Sequence, residues 1–139
     1  MDSNEVVNAF QNDSLGSDDA VGIAEKIKKG ELSASLVTKD AIKRAKAVNP
    51  KLNAITVENF DLAQTNSEKP FSGFFQGVPT FIKDTDEVPG LPLYLGSRSL
   101  PGEPSDKYSK AAKQIIDTGL NCLGTTTTPE FGLTGTTES

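Results

Sequence analysis

A chain of 139 residues with 14 Lys plus Arg against 19 Asp plus Glu carries a net charge of −5, and its length fits one domain burying roughly two-thirds of its unfolded surface. It has no His and one Cys, Cys122, which excludes Ser-His-Asp and Cys-His catalysis, imidazole metal ligands and an internal disulfide. The acidic balance without a Lys/Arg tract argues against nucleic acid or an anionic membrane surface as partner, and any general base must be Lys, Asp, Glu or Tyr.

Residues 1–16 are polar and weakly periodic, so a tail is expected that stays loose unless something docks it. Its start, Met1-Asp2-Ser3-Asn4-Glu5, has no apolar stretch of the secretory kind. Nowhere does an apolar run approach the ~20 residues of a membrane span. With the single Cys, these features give a cytoplasmic expectation. Ser17-Asp18-Asp19 predicts a helix start, since Ser accepts free N–H groups and carboxylates suit the positive end of the helix dipole. Ala20, Ile23, Ala24 and Ile27 then fall on one face, and Gly30 offers a stop. A second helix is predicted from Ser33, with Leu36, Val37, Ala41, Ala45 and Val48 on one side and Pro50 closing it. The two form a helical hairpin. Ala54 to Val57 reads as a short strand and Phe60 to Asn66 as a short helix.

Composition changes at Pro70. From Pro70 onward lie seven of the eight Pro and nine of the twelve Gly but only five of the fourteen basic residues, which predicts short elements joined by loops. A buried strand is expected at Thr80–Lys83, before an acidic, Pro/Gly-rich loop. Tyr108, Ala111, Ala112, Ile115 and Ile116 follow helical spacing and predict a helix packing on a sheet. Gly119 ends it, and Leu120 to Leu123 reads as a second strand ending at Gly124. Strand, helix and strand make a βαβ unit with parallel strands, so the fold class is α/β, a helical hairpin followed by part of a parallel or mixed sheet. Ligands bind at the carboxyl ends of such strands, which here are Lys83-Asp84 and Gly124-Thr125. Asp84-Thr85-Asp86-Glu87 lacks the glycine and distal Glu of a calcium loop and reads as a solvated acidic loop; no metal site is predicted. Thr125 to Thr128 lacks the Gly-Lys-Ser/Thr ending of a phosphate loop and reads as a hydroxyl-rich turn.

Gly77-Val78-Pro79-Thr80-Phe81-Ile82-Lys83-Asp84 resembles the segment carrying the catalytic lysine in the amidase signature family. Gly90-Leu91 and Gly96-Ser97 are similar to that family's next stretch. Gly124-Thr125-Thr126-Thr127-Thr128-Pro129-Glu130-Phe131 is similar to its Gly-Lys-Thr-Asn-x-x-Glu-Phe loop, and Thr136-Thr137-Glu138-Ser139 to the Thr-Glu-Asn that follows. The opening hairpin, with Gly-Glu-Leu-Ser-Ala-Ser from Gly30, matches the family's usual beginning. The resemblance covers residues 17–139 as the N-terminal part of an incomplete amidase-signature domain.

The resemblance implies a Ser–cis-Ser–Lys triad that cleaves carbon–nitrogen bonds of small-molecule amides through an acyl-enzyme, without a cofactor. By position Lys83 is the catalytic lysine, while Gly132 and Leu133 match positions lining the acyl pocket. Both family serines come later, in a Gly-Gly-Ser-Ser-Gly-Gly run that residues 1–139 do not contain. Neither Ser97 nor Ser139 matches either position, so the chain alone is expected to be inactive. The sequence also departs from the family at Thr125 (usually Lys), Thr127 (usually Asn) and Leu93 (often Thr). A βαβ unit without neighbouring strands exposes strand edges, which predicts a need for the missing C-terminal segment, a partner or self-association. The alternative function is a non-catalytic, degenerate amidase module acting through such a partner.

Overall fold

A computed structural model describes residues 6–137; Met1–Glu5 and the Glu138-Ser139 part of the final motif lie outside the described residues. Helix α1 spans Ala20–Lys28, and Asp19 caps it by accepting the Gly22 N–H at 2.8 Å. Helix α2, Ala34–Leu52, starts on the expected Ser33, whose hydroxyl accepts the Leu36 N–H at 3.1 Å. Strand β1 is Ile55–Glu58, helix α3 Phe60–Asn66 and strand β2 Pro79–Lys83. Helix α4 runs Lys110–Asp117 from a Ser109 cap, and strand β3 is Asn121–Thr126. Among the described residues no helix is long and apolar enough to cross a membrane.

The sheet has the order β1-β3-β2. β3 lies in the centre, parallel to β2 and antiparallel to β1, so the expected βαβ pair becomes a mixed three-stranded sheet. Three apolar clusters hold the layers. Ile23 and Ala24 of α1 meet Val37 of α2, Leu15 and Val78, so the two opening helices share one core. Ala45, Phe60, Ala63 and Leu123 join α2 and α3 to the sheet. Ile82, Cys122, Ala112, Val88 and Leu91 join the sheet to α4 and to the long loop before it. A polar tie crosses the interior: the buried Asn121 side-chain amide donates to Thr38 Oγ1 at 3.1 Å and to the Ala63 carbonyl at 2.9 Å.

Several expectations need correction. Pro50 does not close α2, which continues to Leu52. A proline in the last turn removes one hydrogen bond without a following turn to disrupt. The helix is stopped instead by Asn53, left-handed at φ 47°, whose N–H bonds the Asn49 carbonyl at 2.7 Å, while Asn49 Oδ1 accepts the N–H groups of Ala54 and Ile55. The end of the N-terminal tail is docked: Leu15 is buried in the first cluster, and Ser14 donates to Asp40 on α2 through both N–H and hydroxyl. β2 is half-buried, with only Ile82 fully inside. On α4 Ala112 is buried, but Ile115 and Ala111 face outward, because a helix of eight residues presents only a narrow stripe to the sheet. β3 passes through Gly124 rather than ending there. Gly124 has φ 143°, and a Cβ on it would stand 2.1 Å from the Val57 carbonyl oxygen, so only glycine lets β1 approach at this register irregularity.

Candidate functional site

Parallel pairing brings the carboxyl ends of β2 and β3 to the same edge of the sheet. Lys83, the last residue of β2, is level with Thr126, the last of β3, and the Asp84 N–H donates to the Thr126 carbonyl at 3.0 Å. The second loop of the site therefore begins after Thr126, two residues later than the sequence pattern places it. The Lys83 side chain is exposed and makes no hydrogen bond or ion pair among the described residues, while its carbonyl accepts the Asp86 N–H at 3.1 Å.

Asp84 behaves differently from the solvated loop residue expected of it. Its side chain is fully buried, and its carboxylate accepts the N–H groups of Tyr94 at 3.1 Å and Gly96 at 3.3 Å. Burial pushes the Asp84 carboxyl above the usual carboxylate range, with the two N–H groups acting in the opposite direction. The rest of the acidic run is also engaged. Asp86 accepts the Ser109 hydroxyl at 2.6 Å at the start of α4, and the Glu87 carbonyl accepts the Ser109 N–H at 3.0 Å. Buried Val88 and Leu91 anchor the loop to the sheet. Its charged sequence hides an apolar underside, which is why composition alone reads it as solvated.

After β3 the chain forms a 3-10 turn at Glu130–Gly132. Phe131 sits there at φ 51°, and its N–H donates to the carbonyl of Leu95, itself at φ 50°, at 2.7 Å. Two non-glycine residues in the left-handed region, at a cost of about 1–3 kcal/mol each, persist only where surrounding contacts over-determine them. Those contacts are present. Buried Ser97 donates its hydroxyl to Glu130 Oε1 at 2.6 Å and accepts from Ser99, whose hydroxyl lies 2.8 Å away. A Cβ on Gly96 would meet the Thr128 carbonyl oxygen at 2.3 Å, so glycine is required for the two loops to pack backbone against backbone. The sequence shows Gly96-Ser97 and Glu130-Phe131 as separate motifs; their direct bond is invisible until the fold joins them.

Of the predicted site residues, Gly132 comes close to the lysine segment: a Cβ on it would lie 4.0 Å from Thr85 Cγ2, two residues past Lys83. Leu133 is 81% exposed and lines a cleft of about 370 Å³ with Gly96, Thr128 and Glu130. A neighbouring cleft of about 570 Å³ is lined by Tyr94, Ser97, Arg98, Thr127 and Thr128 among others. Lys83 lines neither. Thr125 and Thr128 are buried with hydroxyls that have no hydrogen-bond partner among the described residues. No group of three or more acidic or Cys side chains that could hold a metal ion occurs among the described residues.

Comparison with known proteins gives a consistent picture. Residues 36–139 match the family described as Amidase. The chain is 40% identical over 132 residues to the "Putative amidase AmiC" of Mycobacterium leprae (strain TN), covering 95% of this chain and 28% of that protein. It is 33% identical over 123 residues to the 6-aminohexanoate-cyclic-dimer hydrolase of Paenarthrobacter ureafaciens, covering 86% of this chain and 25% of that one. A solved structure of a 6-aminohexanoate cyclic dimer hydrolase complexed with substrate superposes with a TM-score of 0.77 at 34% identity, over 87% of this chain and 26% of that one. The chain thus spans about a quarter of the length of the relatives it matches.

Proposed function

The chain belongs to the amidase signature family, and on that premise we propose that it forms the N-terminal part of a hydrolase of carbon–nitrogen bonds in small-molecule amides, with Lys83 as its catalytic lysine. The observation that carries this reading is the edge where Lys83 stands level with Thr126 while the Glu130–Gly132 turn folds back beside Thr85, so that a Cβ on Gly132 would lie 4.0 Å from Thr85 Cγ2. A base at the end of β2 and a loop flanking an acyl pocket at the end of β3 are the two parts such chemistry needs from this region.

In the proposed reaction neutral Lys83 takes a proton through a bridging serine from a nucleophilic serine. The nucleophile attacks the amide carbonyl, the amine leaves with a proton, and water releases the acyl group. A lysine serves as base only when stripped of water, which favours its neutral form. Lys83 is exposed across residues 6–137, so the reading requires further polypeptide to supply both serines and cover this edge. Gly132 and Leu133 are assigned to the acyl pocket.

The test is to express the complete polypeptide containing this sequence and assay release of aniline from simple anilides. Hydrolysis that falls by about 10²–10⁴-fold in Lys83→Ala is the expected result. Undiminished hydrolysis in that variant, or none in the unaltered protein across a panel of amides, would overturn the proposal.

A further inference from the structure

Four hydrogen bonds connect three places distant in the chain. Asp84 follows Lys83 directly, and its buried carboxylate accepts from Tyr94 and Gly96, fixing the turn between them. That turn holds the Glu130–Gly132 segment at two points, through the Leu95 carbonyl to the Phe131 N–H and through Ser97 Oγ to Glu130 Oε1. Gly96 packs without a side chain against the backbone of Thr128 and Pro129. Asp84 makes no hydrogen bond to Glu130–Leu133 and reaches that segment only through the Tyr94–Ser97 turn, which is also closed by the Ser97 N–H donating to the Tyr94 carbonyl at 2.9 Å. The strained Leu95 and Phe131 face each other across this seam.

We propose that Asp84, Ser97 and Glu130 are positioning residues: acting through the Tyr94–Ser97 turn, they set where the Glu130–Leu133 segment sits relative to Lys83, and hence which acyl groups fit between them. This deepens the amidase reading and rests on it for the identity of the substrate. An anchor that served folding alone would, when cut, loosen the whole sheet. A positioning seam loosens the 130–133 segment and leaves the sheet intact.

The experiment has two arms. In the first, amide hydrogen exchange is followed residue by residue in the 139-residue chain, with the Asn121 N–H, bonded to the Val78 carbonyl at 2.9 Å, as the internal reference. Ser97→Ala is expected to speed exchange at Phe131 about tenfold relative to that reference, and Ser97→Thr, which keeps the hydroxyl, to restore it. Asp84→Asn, which can accept only one of the two N–H groups properly, is expected to speed Phe131 exchange as well. Glu130 is exposed, so Glu130→Ala folds even where a change at buried Asp84 does not, and it gives the same acceleration. Equal acceleration at Asn121, or a Phe131 N–H indifferent to Ser97→Ala and Glu130→Ala, overturns the proposal.

In the second arm the complete polypeptide is assayed with acetyl and longer-chain anilides. Ser97→Ala is expected to raise KM by more than it lowers kcat and to change the preference between the two acyl lengths. An unchanged preference with a loosened Phe131 overturns the positioning role. Absence of hydrolysis in the unaltered protein instead overturns the amidase reading, and the exchange arm then decides the seam alone.

Discussion

Arg44 of α2 holds Asp13 at two points, Nε to Oδ2 at 2.8 Å and Nη2 to Oδ1 at 2.5 Å, with the side chains only 13% and 8% exposed. The same Nη2 donates to the Gly16 carbonyl at 2.9 Å. One guanidinium thus fastens the segment that delivers Leu15 to the core. The hydrogen bonds from Arg44 hold the Asp13 carboxyl below the usual carboxylate range. A folded-state pKa below the unfolded value gives stability that is complete above the unfolded pKa and is lost as pH falls through the folded one. Asp13→Asn is expected to lower unfolding free energy by about 1–2 kcal/mol at neutral pH. The difference from the unaltered chain should shrink as pH drops below about 3.9. Urea titrations at several pH values measure both; a gap independent of pH would mean the pair contributes nothing through its charge.

The role proposed for Lys83 can be tested apart from stability. The Lys83 side chain is exposed and has no hydrogen-bond or ion-pair partner among the described residues, so Lys83→Ala should change the stability of the 139-residue chain by no more than about 0.5 kcal/mol. Chemical denaturation of the two chains side by side provides the check. A loss of several times that size would assign Lys83 a structural role and weaken its use as a probe of catalysis.

At Gly124 the expectation is the reverse. With a Cβ placed 2.1 Å from the Val57 oxygen at φ 143°, Gly124→Ala must push β1 away from β3 or twist the central strand. A cost of about 3 kcal/mol or more follows, a fall in Tm of roughly 10 °C for a chain of this size. Thermal unfolding followed by circular dichroism measures it, and a Tm within a degree or two of the parent would show that β1 pairs less closely than described.

Cys122 reports on the other face of the sheet. It is buried beneath α4, and burial pushes its thiol above the ordinary range. An aromatic disulfide reagent should therefore modify native protein only as fast as the sheet opens, and the rate should climb with added urea. Rapid labelling in the absence of denaturant would show α4 lifting away from the sheet without global unfolding.

The elements that depend on local patterning are legible in the sequence. α3 falls at Phe60–Asn66 as expected, Ser33 caps α2, and β2 ends at Lys83. Errors arise where a distant partner decides. β3 continues past Gly124 because Thr125 and Thr126 pair with Ile82 and Lys83, and no local signal records that pairing. Asp84 sits in a run of carboxylates, and its burial comes from Tyr94 and Gly96 folding back on it. Arg44 and Asp13 lie 31 positions apart, so a polar tail gives no sign of docking. The Ser97–Glu130 bond is of the same kind. Both residues stand in visible motifs, and only the closed loops make them one unit.

The order of strands carries a consequence for how the protein is made. Among the described residues β1 and β2 do not pair with each other; within the sheet each pairs with β3, and β3 is the last of the three to leave the ribosome. Until residue 126 has been added there is no sheet, only helices and two separate extended segments whose edges have nothing to pair with. Such edges are exposed to other chains for as long as synthesis takes to reach β3. A pause in translation before β3 has emerged from the ribosome would prolong that exposure, whereas a pause after it has emerged would leave the sheet free to close.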